Sequence, residues 1–172
     1  TTRDYDLFFF GFAADGGLLY APPHNRRNDK SMKVNISKSN LINAVNIASK
    51  AVPAKTTLPI LECILIDAST EKIKFMANDE ELGIETIQDG TILEHGIIAI
   101  DAAIFGNIVR KLPDGINVTL ETDGEQVTIR SGKIVFSISG RDGSDFPYLP
   151  EIDRSYSIEV SELTLRDIIT KT

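Results

Sequence analysis

Four lysines, Lys33, Lys38, Lys50 and Lys55, fall within Met32–Leu61, a stretch with no Asp or Glu, in a chain whose formal charge is -7. A local cationic block in an acidic protein is chemistry for a polyanion, because the position of charge matters more than its sum. Helical spacing sets Asn43, Asn46 and Lys50 opposite an apolar stripe of Leu41, Val45, Ala48 and Val52. Further on it sets Ala103, Asn107 and Arg110, with Lys111 beside them, opposite Ile104, Phe105, Ile108 and Leu112. Neither polar face holds a carboxylate beyond Asp101, the expected helix cap. The acids gather on the expected strands and turns instead, at Glu62, Asp79, Glu80, Glu81, Glu85, Glu121, Asp123 and Glu125. Two such helices in one layer make a neutral-to-basic wall backed by acidic sheets. With no Arg-rich helix to read bases, this wall would hold phosphate weakly, in a salt-sensitive and sequence-independent way. The same pattern also fits a scaffold module that binds no DNA and whose basic helix faces are incidental.

Catalytic chemistry is scarcely represented. Cys63 is the single cysteine, so it forms no intrachain disulfide, and its neighbours Ile64, Leu65 and Ile66 predict a buried, inert thiol. His24 and His95 stand apart with no metal-ligand spacing, and His95 belongs to a turn, where a solvated ring is expected. Asp79-Glu80-Glu81 could serve a metal-dependent hydrolase, but a charge run between strands reads as a solvated loop. Gly11, Gly16 and Gly17 do not form a dinucleotide fingerprint, and no phosphate loop or nucleophile elbow occurs. Asn35-Ile36-Ser37 and Asn117-Val118-Thr119 match the short glycosylation pattern, which often arises by chance. No catalytic residue, metal or cofactor is expected.

The elements that must position these residues follow from length and pattern. At 172 residues, 42% hydrophobic and 25% charged, the chain suits one globular domain with part of a second. Residues 1–31 differ from the rest. They hold Tyr5, Phe8, Phe9, Phe10, Phe12 and Tyr20, half of the aromatic residues, and then a polar linker from Ala21 to Lys30. The Phe run is too short to span a membrane and lacks the flanks of a signal peptide. This segment reads as a leader, vector-derived or translated from upstream, or else as an aromatic docking peptide.

From Met32 the pattern is regular. A strand at Lys33–Ile36 leads through Ser37 or Ser39, either of which can cap, to a helix that Pro53 closes. Strands are predicted at Ile60–Asp67, Lys72–Ala77 and Leu82–Ile87. A second cycle has a strand at Ile97–Ile100, a helix capped by Asp101 and stopped at Pro113-Asp114-Gly115, and strands at Asn117–Glu121, Gln126–Arg130 and Ile134–Ser139. A third cycle starts at Tyr156–Val160 and Ser161–Leu165. This is a β-α-β-β-β repeat of about 60 residues. It predicts an α+β fold with two helices on one face of antiparallel sheets.

Residues 32–172 resemble the N-terminal part of the bacterial DNA polymerase III beta subunits, the sliding clamps. The resemblance rests on Met32-Lys33-Val34, Thr57-Leu58-Pro59-Ile60-Leu61, Arg110-Lys111-Leu112-Pro113-Asp114-Gly115, Arg130-Ser131-Gly132-Lys133, Phe136-Ser137-Ile138-Ser139 and Asp145-Phe146-Pro147. It implies the DNA-clamp fold and a non-catalytic processivity factor of the replicative polymerase, working in the cytoplasm. It further implies a head-to-tail homodimeric ring around double-stranded DNA, of three similar domains per subunit, with helices lining the hole. Residues 32–151 would be the first domain, 152–172 the start of a truncated second, and Met32 an initiator. The alpha subunit of DNA polymerase III and the clamp loader would dock on domains missing here; no membrane is involved.

Carried over by residue, the resemblance makes Lys55 and Arg110 DNA-contacting. Lys111 is added from its neighbourhood and Lys50 from the charge pattern. Phe136 and Ile138 match apolar residues of the subunit interface, and Ile104 and Ile108 the helix beside it. Ala103 and Ile104 stand where some members carry basic residues, which weakens the case for phosphate contact at that turn.

Overall fold

The computed structural model describes residues 7–9 and 31–148, together with the isolated positions 161, 166, 168 and 170. The expected third cycle at 156–165 lies outside the described residues except for Ser161, and so does most of the leader.

A short strand β1 (Leu7–Phe9) comes first. The first unit then runs β2 (Ser31–Ser37), α1 (Lys38–Ala48), β3 (Cys63–Asp67), β4 (Ile73–Asn78), β5 (Leu82–Gln88) and β6 (Gly90–Glu94). The second runs β7 (Ile97–Asp101), α2 (Ala102–Lys111), β8 (Asn117–Asp123), β9 (Gln126–Ser131), β10 (Ile134–Ser139) and β11 (Arg141–Asp142).

The two units exchange strands. One antiparallel sheet has the order β1-β5-β4-β3-β7-β11, and the other β10-β9-β8-β2-β6. Each therefore joins the three-strand meander of one unit to the first and last strands of the other. The pleat explains the pairing. In β2, Met32, Val34 and Ile36 are buried while Lys33 and Asn35 are half-buried on the other face. Across the ladder Val34 faces Leu120 and Ile36 faces Val118, both buried. Turn chemistry agrees with the sequence at Gly124 and Gly132, whose φ values of 59° and 58° suit glycine in tight hairpins.

β3 is buried along its whole length. Ile64 and Ile66 enter the main core, whereas Cys63 and Leu65 join Met76, Ala99 and Phe146 in a second cluster. Phe146, 2% exposed, covers the outer face of this sheet, and the Asn78 amide donates to the Pro147 carbonyl at 2.6 Å. The Asp145-Phe146-Pro147 stretch is thus an outer cover. As expected, Cys63 is a buried free thiol. Burial pushes its pKa up, and the nearby Arg141 only partly opposes this.

Several local expectations are corrected. The first helix ends at Ala48 rather than at Pro53, and a 3-10 turn over Ser49–Ala51 follows; Ser49 Oγ donates to the Val45 carbonyl at 2.6 Å, satisfying a helix-end acceptor. Pro59–Glu62, which the apolar pattern places partly in a strand, is a 3-10 turn with Pro at its start. Neither β6 nor β11 is among the predicted strands. β6 is an edge strand with only Ile92 half-buried, so it shows no inward periodicity. His95 is not simply solvated: its Nδ1 lies 2.8 Å from the Ala68 carbonyl and ties two turns together.

Asp79-Glu80-Glu81 forms the β4–β5 turn. Asp79 Oδ1 accepts from the Glu81 and Leu82 N–H groups at 3.0 and 2.6 Å, and Asn78 Oδ1 accepts from Glu80 N–H at 3.2 Å. Glu80 sits at φ 75°, a left-handed conformation that strains a residue with a Cβ. Glu80→Gly is expected to stabilise the domain by about 0.5–1 kcal/mol. Urea denaturation checks this through a higher midpoint at unchanged slope.

Candidate nucleic-acid interface

Two capped helices carry the candidate residues. Ser37, and not Ser39, caps α1: its Oγ accepts from Asn40 N–H at 3.1 Å. Asp101 caps α2 by accepting from Ile104 N–H at 2.8 Å. These caps satisfy exposed donors and start each helix directly at the end of a strand. Leu41, Ala44, Val45 and Ala48 of α1 and Ala102, Phe105, Ile108 and Val109 of α2 point into the common core. The helices pack against each other, and α1 touches strands of both sheets. The expectation of paired helices therefore holds.

Neither helix has an acid in its first turn, and α2 ends in Arg110 and Lys111, where cations complement the helix dipole. Both side chains are exposed. Arg110 Nη2 donates to Asn107 Oδ1 at 3.0 Å, which sets the guanidinium along the outer face. Lys50 is exposed, but it belongs to the 3-10 turn after α1 and not to the helix itself. Lys55 is exposed in the following loop. There Thr56 Oγ1 accepts from Leu58 N–H at 3.0 Å and shapes the tip. Asn46, Ala103 and Asn107 are exposed, and Asn43 is half-buried.

Ion pairing separates these cations from Lys33, Lys38 and Lys74, while Lys72, Arg130, Lys133 and Arg141, away from the two helices in sequence, are likewise exposed and without an ion pair among the described residues. Lys38 meets Asp114 at 2.7 Å, Lys33 meets Glu121 at 3.4 Å and Lys74 meets Glu85 at 3.9 Å. Among the described residues Lys50, Lys55, Arg110 and Lys111 form no ion pair. Lys38 is thus removed from the free charge by an acid 76 residues away, a pairing that no local pattern signals.

The apolar candidates divide. Ile108, 7% exposed, is a core residue, whereas Ile104, expected in the core stripe, is 51% exposed. Its position in the first turn of α2 turns it away from the sheet, while Phe105 fills the inward place. Phe136 and Ile138 lie on β10, opposite Ile129 and Val127. Both are partly buried and pack against the core, on the strand that ends its sheet among the described residues. Ile134 and Val135 on the same strand are exposed. Among the described residues no group of His, Cys, Asp or Glu is arranged to hold a metal.

Paired helices backed by two strand-exchanged antiparallel sheets define the clamp class of DNA-associated folds. The crystal structure of a DNA polymerase III beta subunit from Eubacterium rectale superposes with a TM-score of 0.79 at 58% identity, over 82% of this chain and 39% of that one. The DNA polymerase sliding clamp of Bacillus subtilis superposes with a TM-score of 0.77 at 34% identity, with the same coverage. In sequence, the chain is 37% identical over 150 residues to the beta sliding clamp of Staphylococcus epidermidis, covering 82% of this chain and 40% of that protein. The family model for the DNA polymerase III beta subunit, N-terminal domain, matches residues 32–150. The chain belongs to the DNA polymerase III beta subunit family. It spans about two-fifths of the length of the relatives it matches.

Proposed function

We propose that this chain supplies the first domain of a DNA sliding clamp, a non-catalytic processivity factor that encircles duplex DNA and tethers the replicative polymerase. The observation that carries the reading is the set of exposed cations Lys50, Lys55, Arg110 and Lys111, which are without carboxylate partners among the described residues, on and beside two packed helices. Such charges attract phosphates without reading bases, and weak contacts suit a protein that must slide. The outer strands and turns bear Asp123 and Glu125, exposed and without an ion pair among the described residues, which repel DNA from that side.

Ring formation belongs to the full-length protein. The row Ile134, Phe136 and Ile138, incompletely covered on a strand that ends its sheet among the described residues, supports β10 as the head-to-tail contact between subunits, with the exposed apolar Ile104 as a further contact. The alpha subunit of the polymerase and the clamp loader dock on the remaining domains of the full-length protein, in the cytoplasm. Among the described residues no helix is long and apolar enough to cross a membrane.

Binding of this chain to a linear duplex, followed by fluorescence anisotropy across a salt series, tests the lining. Four neutralised phosphates predict a slope of log affinity against log salt of about -3.6, since each contributes roughly -0.9. The slope is expected to be the same for unrelated duplex sequences. A salt-independent affinity, or a marked preference for one sequence, would overturn the assignment.

A further inference from the structure

Gly106 stands in the middle of α2, where glycine is a poorer helix former than alanine because it gives up more backbone freedom. Its φ is not positive, so no turn demands it. Close approach of another element does not demand it either. Among the described residues, the three atoms nearest to a Cβ at Gly106 would all belong to Arg110: Nη2 at 3.3 Å, Nη1 at 3.4 Å and Cζ at 3.6 Å. Side chains on a helix lean toward its N-terminus, so a residue covers the position four before it. Gly106 is accordingly buried although Arg110 is exposed. The guanidinium lies over the glycine and takes the space that a methyl group would fill. From that place Arg110 Nη2 donates to Asn107 Oδ1 at 3.0 Å. Lys50, Lys55 and Lys111 have no such hold; among the described residues their side chains make no hydrogen bond or ion pair.

We propose that Gly106 and Asn107 are positioning residues, a rest that fixes the Arg110 guanidinium on the outer face of α2 ready for a backbone phosphate. Gly106 supplies the space and Asn107 the acceptor. The acceptor is an amide oxygen and not a carboxylate, so it orients the cation without neutralising it. One nitrogen is engaged, and the remaining N–H groups of the fork stay available to phosphate oxygens. Arginine ordinarily loses much rotamer freedom when it is immobilised by a partner. A guanidinium already held has less to lose on contact, so its grip is stronger at the same charge. The weaker helix former at position 106 is thereby offset by a better placed cation. The functional half of this inference rests on the DNA-binding reading of Arg110; the existence of the rest does not.

The test measures duplex affinity of the full chain by fluorescence anisotropy, with Gly106→Ala, Asn107→Ala and Arg110→Gln singly and each of the first two combined with Arg110→Gln. Arg110→Gln should weaken binding about tenfold at 0.1 M salt, because one phosphate contact is lost. Gly106→Ala and Asn107→Ala should each weaken it about three- to fivefold. Their salt slopes should stay unchanged, since no charge is removed. Gly106→Ala should at the same time raise the melting temperature, as alanine favours the helix, an opposition of signs that damage to the fold does not produce. In the Arg110→Gln background neither substitution should alter affinity further. Single variants that bind as well as or better than the unaltered chain overturn the positioning role, and so does an equal loss in the Arg110→Gln background. Undiminished affinity in Arg110→Gln itself would instead remove Arg110 from the DNA reading. The rest is then judged separately, by NMR relaxation of the Arg110 side-chain Nε–H in the free chain. Its order parameter should lie above about 0.6 and fall below that value in Asn107→Ala; a mobile guanidinium in the unaltered chain overturns the rest whatever the duplex does.

Discussion

Replacement of Lys55, Arg110 and Lys111 by Glu is expected to lower affinity for a linear duplex by at least about a hundredfold at 0.1 M salt, on the order of tenfold for each phosphate no longer neutralised. Addition of Lys50→Glu should deepen the loss and flatten the salt dependence further. Thermal stability should barely change. All four side chains are exposed and form no ion pair among the described residues, and exposed charges contribute little to folding. The control is Arg130→Glu with Lys133→Glu, two exposed cations on β9 and its hairpin turn. That pair alters net charge without touching the helices. Anisotropy titration of both variants separates a lining from a general charge effect, and equal losses per charge would remove the helices from the DNA reading.

Phe105→Ala should have the largest effect on the fold. Phe105 is 0% exposed and stands in the core shared by both helices and both sheets. Its truncation deletes the packing of a whole ring and leaves a cavity, at a cost of about 3–5 kcal/mol. Against a net stability of about 5–15 kcal/mol that is a large fraction. The melting temperature should fall by about 10–20 °C. Ile104→Ala, one residue earlier and half exposed, should cost less than about 1 kcal/mol. Calorimetry of the two variants tests which side of α2 faces inward, and comparable losses would mean that the helix is rotated. The same orientation keeps Asn107, Arg110 and Lys111 outward, so the stability experiment bears on the candidate interface as well.

Much of this architecture follows from local rules. Ser37 and Asp101 cap helices because a short side-chain oxygen before an apolar helical pattern satisfies free N–H groups. β2, β8, β9 and β10 are written as alternations, and Gly124 and Gly132 mark their hairpins. The burial of Cys63 follows from its neighbours alone. The polar faces of α1 and α2 follow from helical spacing, and with them Arg110 and Lys111, whereas Lys50 and Lys55 lie in the 3-10 turn and loop beyond α1. Departures occur where burial is weak or one-sided. β6 and β11 are edges with few inward side chains, and Ile104 joins the right periodicity at a turn where the sheet no longer covers it. An apolar residue and a helical position do not by themselves state what lies opposite.

The order of strands and helices, the repeat and the excess of basic residues around the helices are thus legible in the amino-acid chain before it folds. The exchange of strands between units is not: β2 and β6 complete the second meander while β7 and β11 complete the first, a choice made by packing. Packing also selects which cations remain free, since Lys38 is neutralised by Asp114 across 76 residues whereas Lys50, Lys55, Arg110 and Lys111 are left exposed. The physical reason is common to both. Secondary structure answers to neighbours three or four residues away, while sheet partners and ion pairs are chosen by which distant surfaces can be buried together.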